Sequence, residues 1–282
     1  MYLTTQHLWT SYTRGVPDTS PNSVQDPTIA IISDIHANIT ALEAVLNDIE
    51  ARGIGEIICL GDLVGKGPNP RACVDRIREL GCPVIQGNWD ELVTRDLHKV
   101  FDSMLEAILW QREQLGEERL EYLRALPFSL DLERRPGLVR LLHASPQDLW
   151  HRVGIRAILS GETHKLAGMF DATEHTGLET RIPMAIGFGD IHTAYVLNLP
   201  GYVPELEPVK GRTLFNVGSV GNPMDMPIPV YGILGGGPGL EVSLIRVPYD
   251  NELECQRAVE SGMPHLEEYL EETRFARYRP RG

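Results

Sequence analysis

The stretch Thr28–Leu46, TIAIISDIHANITALEAVL, decides how the chain is read. Its first six residues are a near-continuous apolar run of strand length, as expected for a strand buried on both faces of a parallel sheet. Ser33-Asp34-Ile35-His36 ends that run with polar side chains. Ile39, Leu42, Val45, Leu46 and Ile49 then recur at helical spacing, and Gly53 stands just past the end, where a left-handed residue stops a helix. The pattern repeats. Glu56–Leu60, EIICL, reads as a second buried strand. Asn69-Pro70 opens a helix, with proline suited to the first helical position, and Val74, Ile77 and Leu80 face inward before Gly81. Pro83–Ile85 reads as a short third strand. Such β-α-β-α-β order predicts a parallel sheet with right-handed crossovers.

Farther along, residues 91–126 carry apolar faces at helical spacing (Leu105, Ile108, Leu109, Leu115, then Leu120, Leu123 and Leu126) and close at Pro127. Leu138–Leu142 is a strand. Within 155–180, Leu166, Met169 and Phe170 suggest a short amphipathic helix. Met184–Phe188 and Ala194–Leu197 are strand-like, and Arg212–Val217, Val230–Leu234 and Leu240–Val247 form a second group of strands. Residues 250–282 read as one or two terminal helices. The expectation is a single domain over 28–250 with two packed sheets and helices outside. A polar, turn-rich extension over 1–27 precedes it, and a helical tail over 251–282 follows.

Composition narrows the function. The chain has 282 residues, 42% hydrophobic, enough to bury a full core. Its formal net charge of −13 argues against stable nucleic-acid binding, because phosphates would be repelled. Excess carboxylate suits divalent-metal chemistry and equally an ordinary soluble enzyme. The four cysteines, Cys59, Cys73, Cys82 and Cys255, form no C-x-x-C pair, which speaks against a zinc knuckle and for a reducing compartment. No apolar run approaches the ~18 residues of a membrane span, and the first 27 residues lack the apolar segment of a signal peptide. The cytoplasm is the expected location.

What ends each strand is more informative. The polar endings are Asp34 and His36, Gly61-Asp62, Gly87-Asn88-Trp89-Asp90, His143-Ala144-Ser145, and Gly189-Asp190-Ile191-His192. In open α/β sheets the carboxyl ends of the strands share one edge, where ligands bind. Each residue alone is ordinary turn or capping chemistry. Five such endings at one edge are not ordinary, and their mix of carboxylate, imidazole and amide suits a pair of divalent metals without thiolate. An extended Asp-x-His would aim both side chains at one face, since strand side chains repeat every second residue. Asp62, on a glycine-flanked turn, could bridge two ions, which would clamp a phosphate and activate a water between them.

In their order, Asp34-x-His36, Gly61-Asp62-x-x-Gly65, Gly87-Asn88-x-Asp90, His143 and Gly189-x-x-His192 resemble the calcineurin-like metallophosphoesterases over about residues 28–250. SDIHANITALEAVL, CLGDLVGKGPNP and NVGSVGNPMD look like the small prokaryotic predicted phosphodiesterases of that superfamily. The resemblance implies a four-layer α-β-β-α sandwich with a dinuclear centre at the sheet edge. It implies one metal on Asp34, His36, Asp62 and His192, and a second on Asp62, Asn88, His143 and Asp190, with Asn88 also touching a substrate phosphate oxygen. Manganese is the first metal to test, with iron and zinc as rivals.

Two positions depart from the family pattern. The last motif is usually Gly-His-x-His, and here Asp190 stands for its first imidazole. A carboxylate there still ligates but adds negative charge, which disfavours a dianionic monoester more than a monoanionic diester. Gly161-Glu162-Thr163-His164 is the other candidate for this motif, ranked lower because it leads into a helix. The second departure is Trp89, where many members carry a histidine assigned to leaving-group protonation. Indole does not titrate in any useful range. Trp89 could pack against the 91–126 helices, form a stacking wall for a base, or mark a site of reduced activity.

Three functional classes follow. The first is a metal-dependent phosphodiesterase or phosphatase acting on a small phosphorylated substrate, nucleotide-like substrates included. The second is a metal-dependent module that binds a phosphorylated ligand with little turnover. The third is a scaffold whose ligand set is accidental. Lys66 and Arg71 are the cations near the Asp62 loop, and a solvated face is expected for both. Exposed late strands could pair two copies into a homodimer.

Overall fold

The computed structural model describes residues 26–277 apart from 101, 136, 154–156, 158–159, 161, 178–180, 201–208 and 238. The extension expected over 1–27 therefore lies almost wholly outside the described residues. The first half runs β1 (Ile29–Ile32), α1 (Ile39–Ala51), β2 (Glu56–Cys59), α2 (Pro70–Leu80), α3 (Asn88–Thr94), α4 (Asp102–Leu115), α5 (Glu117–Arg124), β3 (Ser129–Glu133) and β4 (Leu138–Leu142). The second half runs α6 (Thr163–Gly168), β5 (Ala185–Phe188), β6 (Tyr195–Asn198), β7 (Thr213–Asn216), β8 (Val230–Leu234), β9 (Val242–Arg246), α7 (Asn251–Ser261) and α8 (Leu266–Phe275).

Two mixed sheets form, one of order β2-β1-β8-β9 and one of order β3-β4-β5-β7-β6. Strand periodicity sorts their side chains into layers. Ile29, Ile31 and Ile58 from the first sheet meet Val139, Leu141, Ala185 and Phe215 from the second in a core between the sheets. Ala30 and Ile32 point the other way, onto Leu42, Val45 and Ile49 of α1 and Val74 and Ile77 of α2. Leu142, Ile186, Phe188 and Leu214 pack outward against Leu166, Met169 and Phe170 in and after α6. The result is the four-layer α-β-β-α sandwich expected.

Local signals hold where they were strongest. Asn38 caps α1 by accepting from the Ala41 N–H at 2.9 Å. Pro70 opens α2, and Gly81 closes it in the left-handed region. Four features differ from the sequence reading. Pro83–Ile85 makes only one bridge, Val84 beside Cys59, because Pro83 has no N–H and Gln86 turns its own to Pro127. The helical region begins at Asn88 rather than 91. β3 pairs antiparallel with β4 over five residues and closes the edge of the second sheet. β8 and β9, expected with the late strands, instead join the first sheet, β8 running antiparallel to β1. α7 lies beside α1 and α8, so the tail adds to the helical layer over the first sheet. All four cysteines are free thiols. Among the described residues no helix is long and apolar enough to cross a membrane.

Candidate metal centre

The loops after β1, β2, β4 and β5 and the start of α3 meet at one end of the two sheets. They bring Asp34, His36, Asp62, Asn88, His143, Asp190 and His192 together, all buried. The loop after β1 is stapled to the loop after β2: the N–H groups of Asp34, His36 and Ala37 donate to the carbonyls of Gly61, Asp62 and Leu63 at 2.9–3.0 Å. These two loops and the loop after β5 use backbone that is otherwise unfavourable. Asp34, His36, Asp62, Asp190 and His192 all lie in the left-handed region, with φ of 54°, 48°, 53°, 59° and 58°. Each such residue costs on the order of 1 kcal/mol or more, a strain that collects at functional sites. The paired aim of Asp34 and His36 thus comes from two left-handed residues, not from the extended segment expected. The same holds for Asp190 and His192.

Ring orientations are set by the backbone. His36 Nδ1 donates to the Val64 carbonyl at 3.1 Å, His143 Nδ1 to Leu60 at 2.8 Å, and His192 Nδ1 to Asn222 at 2.5 Å. Each bond places a proton on Nδ1 and turns Nε2 toward the centre. His36 Nε2 stands 3.0 Å from His192 Nε2 and 3.5 Å from Asp62 Oδ2. His192 Nε2 is 3.2 Å from Asp34 Oδ1, and His143 Nε2 is 3.5 Å from Asp62 Oδ1. Asp62 therefore faces both sides, as a bridging carboxylate would. Asp34 also reaches both, since Asp34, His36 and His192 form one cluster and Asp34, Asp62 and His143 another, each with its ligand atoms within 4.8 Å of one another. Asn88 and Asp190 meet at 2.8 Å, and the Asp190 N–H donates to Asp34 Oδ2 at 3.1 Å.

These groups cannot satisfy one another. Asp34 Oδ1, Asn88 Oδ1 and His143 Nε2 are buried and have no hydrogen-bond partner. Burial pushes the Asp62 carboxyl well above the usual carboxylate range, against the charge of His143. Burial pushes Asp34 the same way, yet His192 and His143 hold it below its usual value. Burial and the neighbouring His192 drive His36 far down. Burial also opposes a charged His143, but Asp62, Asp34 and Asp190 outweigh it and raise the imidazole to about 9. Lone pairs and carboxylates converging out of water are what bound cations relieve. The donors are nitrogen and oxygen without sulfur, so the residues fit divalent metal ions.

Asp90 has both carboxylate oxygens engaged by backbone N–H groups. Its carboxylate accepts the N–H groups of Asp62 at 2.7 Å, Leu63 at 2.9 Å and Gly87 at 3.0 Å, so it caps α3 and clamps the Asp62 loop at once. The fit at this clamp requires Gly87, where a Cβ would stand 2.1 Å from Asp62 Oδ1. Trp89 donates its backbone N–H to Asp62 Oδ1 at 2.8 Å. Its indole is only 8% exposed and joins the core with Leu92, Val93 and Ile108. The ring stands nearly perpendicular to that of His36, with centroids 6.1 Å apart. The ring lies against Gly65, where a Cβ would come within 2.5 Å of it. Of the roles considered for Trp89, this is the packing one.

Sequence reasoning missed a supporting layer. The Ser219 hydroxyl donates to the Asp34 carbonyl at 2.8 Å. Asn222, whose carbonyl orients His192, donates its amide to Glu272 of α8 at 2.8 Å and accepts from Lys66 at 2.6 Å. Ser219 and Asn222 sit in NVGSVGNPMD, so the motif was visible but its roles were not. Lys66 is tied into this network and not on the solvated face expected, whereas Arg71 is exposed and bonds the Gln114 carbonyl. Arg152 was missed altogether: its Nε lies 3.1 Å from Asp190 Oδ2. The competing motif at 161–164 does not reach the centre. Glu162 pairs with Lys165 at 2.7 Å, His164 is exposed, and Gly161 lies outside the described residues. An open cleft of about 420 Å³ between β6 and β9, lined by Val196, Thr213 and Val242 among others, includes none of the seven candidate ligands.

Comparison with known proteins agrees with this geometry. Residues 28–235 match the model of the calcineurin-like phosphoesterase superfamily domain. An uncharacterized protein of Methanocaldococcus jannaschii, MJ0912, is 31% identical over 262 residues, covering 88% of this chain and 97% of that protein. The crystal structure of a metallophosphoesterase from Sphaerobacter thermophilus superposes with a TM-score of 0.68 at 28% identity, covering 88% of this chain and 99% of the other. Hypothetical protein PH1004 from Pyrococcus horikoshii shares the fold, with a TM-score of 0.69 at 19% identity over 89% of this chain and 99% of its own. The chain belongs to the calcineurin-like phosphoesterase superfamily.

Proposed function

We propose that the chain hydrolyses a phosphodiester at a pair of divalent ions. Asp34, His36, Asp62 and His192 would hold one ion, and Asp62, Asn88, His143 and Asp190 the other. The observation that carries this reading is the convergence of buried lone-pair atoms, several without any partner, on one point. Ions held there would supply Lewis acidity and an activated water. Manganese is the first candidate, with iron and zinc next, because the donors are imidazole and carboxylate.

The chain's own residues do the positioning. Asp90 holds the Asp62 backbone N–H and the Trp89 N–H holds Asp62 Oδ1, which leaves Oδ2 on the side of His36. Asn88 opens α3, and its amide lies where it can turn from Asp190 to a phosphate oxygen. Asp190 adds a negative charge where the family pattern usually has an imidazole. Arg152 answers that charge only in part, because its side chain is 64% exposed and solvent screens it. A monoanionic diester is therefore favoured over a dianionic monoester.

The test is turnover of bis-p-nitrophenyl phosphate and p-nitrophenyl phosphate with added Mn²⁺. Diester turnover should exceed monoester turnover and fall roughly 100-fold or more in Asp62→Asn. Bound metal without turnover on a broad phosphoester panel would instead support a ligand-binding module.

A further inference from the structure

Beside the centre, the segment following His143 carries two side chains that the ligand set does not use. Arg152 reaches Asp190, one of the proposed ligands, with Nε 3.1 Å from Oδ2 and 3.3 Å from Oδ1. Trp150, two residues earlier, is 38% exposed, one of the few large apolar side chains left in water. Its position is fixed from α3. The indole Nε1 donates to Glu91 Oε2 at 3.2 Å, and the Arg95 guanidinium lies 5.2 Å from the ring centroid. Arg95 in turn grips Glu91 through two bonds of 2.9 and 2.5 Å. Glu91 stands three residues, just under one helical turn, after Asn88. The indole is thus held against the same short helix that supplies the amide of the centre, while Arg152 touches the carboxylate that this amide bonds.

We propose that Trp150 and Arg152 form the substrate-recognition arm of this site, selecting phosphodiesters that carry a nucleobase. The proposal rests on the phosphodiesterase reading and adds the substrate class to it. An exposed indole already locked by Glu91 and Arg95 loses little rotamer freedom when a ring stacks on it. Base–aromatic stacking is sequence-tolerant and strong enough to change affinity by roughly tenfold or more. Arg152 supplies a planar donor fork beside the phosphate position, next to Asp190. The stacking role considered for the residue after Asn88 thus falls to Trp150, because the indole of Trp89 is in the core.

The experiment compares two diesters with the same leaving group, the p-nitrophenyl ester of thymidine monophosphate and methyl p-nitrophenyl phosphate, in the full chain with Mn²⁺. Wild type should prefer the nucleoside ester in kcat/KM. Trp150→Ala should lower that preference roughly tenfold, mainly through KM, and Trp150→Phe should keep most of it. Arg152→Ala should raise KM for both esters. A preference unchanged in Trp150→Ala overturns the proposal while leaving the phosphodiesterase reading intact. If wild type turns over neither ester, the phosphodiesterase reading falls, and calorimetry with Mn²⁺ decides the arm separately. Adenosine monophosphate binding roughly tenfold tighter than ribose phosphate, with the difference lost in Trp150→Ala, supports it. Equal affinities overturn it.

Discussion

His36 Nε2 and His192 Nε2 face each other at 3.0 Å while both rings give their Nδ1 protons to backbone carbonyls. Two lone pairs at that distance repel unless a cation lies against both. His36 is completely buried, and burial together with His192 drives its pKa far down, so a proton is a poor cation for this place. The expected outcome is that the protein retains divalent metal through dialysis, measured by plasma emission spectrometry, and that His192→Ala loses about half of it. At Mn²⁺ near 100 times the dissociation constant, binding contributes about 2.7 kcal/mol. For a chain of this size that raises Tm by roughly 5–10 °C over the chelator-treated protein. A Tm indifferent to Mn²⁺ would refute metal binding at this pair.

Trp89 is a prediction about packing. Its indole fills the space between Gly65 and the helices, nearly perpendicular to the His36 ring. Trp89→His removes much of that volume and should cost about 2–4 kcal/mol in urea unfolding. It should not raise the hydrolysis rate of esters with poor leaving groups, because the side chain at 89 points into the core. A tenfold gain with such esters would show instead that the position lacks only an acid. Gly65→Ala tests the same contact from the other side. With φ at +85° and the ring 2.5 Å from the new Cβ, it should destabilise by about 2 kcal/mol or more.

Asp34, Asp62 and His143 could be found in the sequence because each follows an apolar run that only a buried strand explains, and strand ends share an edge. Asn88 needed the family resemblance, since Gly-Asn alone is turn chemistry. What stayed hidden depends on distant contacts. Asn222 and Glu272 look like a turn residue and a helix-surface acid, yet they lie behind His192 because α8 folds back onto the Lys66 loop. Arg152 has no pattern around it. β3 was a weak signal, Leu130 and Leu132 alternating over five residues. The placement of β8 and β9 beside β1 was not readable, because alternation marks a strand without naming its partner. The left-handed backbone at His36 was also hidden, since nothing local favours it over the extended form.

Glu272 gives a prediction about support from a distance. Its Oε2 accepts from Asn222 Nδ2 at 2.8 Å and lies 3.5 Å from Lys66 Nζ, and Asn222 in turn holds the His192 ring. Glu272→Ala should weaken Mn²⁺ affinity by roughly 10- to 100-fold, as loss of an orienting partner behind a metal ligand commonly does. A role confined to packing α8 would lower Tm and leave the Mn²⁺ titration unchanged, so the titration separates the two. Glu272→Gln, which keeps an acceptor for Asn222, should restore most of the affinity.

Asp225 and Arg246 supply the pH prediction, away from the ligands. Burial pushes the Asp225 carboxyl up, but the Arg246 guanidinium bonded to it, with the N–H groups of Ala194 and Met226, holds it below the usual value of 3.8. A carboxyl whose pKa is lower in the folded than in the unfolded chain binds fewer protons when folded. Its contribution is therefore present above the unfolded pKa and is lost as pH falls through the folded one. The side chains of Asp225 and Arg246 are 23% and 28% exposed, so the pair is worth only about 1 kcal/mol. Asp225→Asn should be less stable than wild type by about that amount in urea unfolding at neutral pH. The gap should hold down to roughly pH 5 and close as the pH drops below 3.8. A gap that instead widened in acid would mean that the carboxyl is held up by burial rather than down by Arg246.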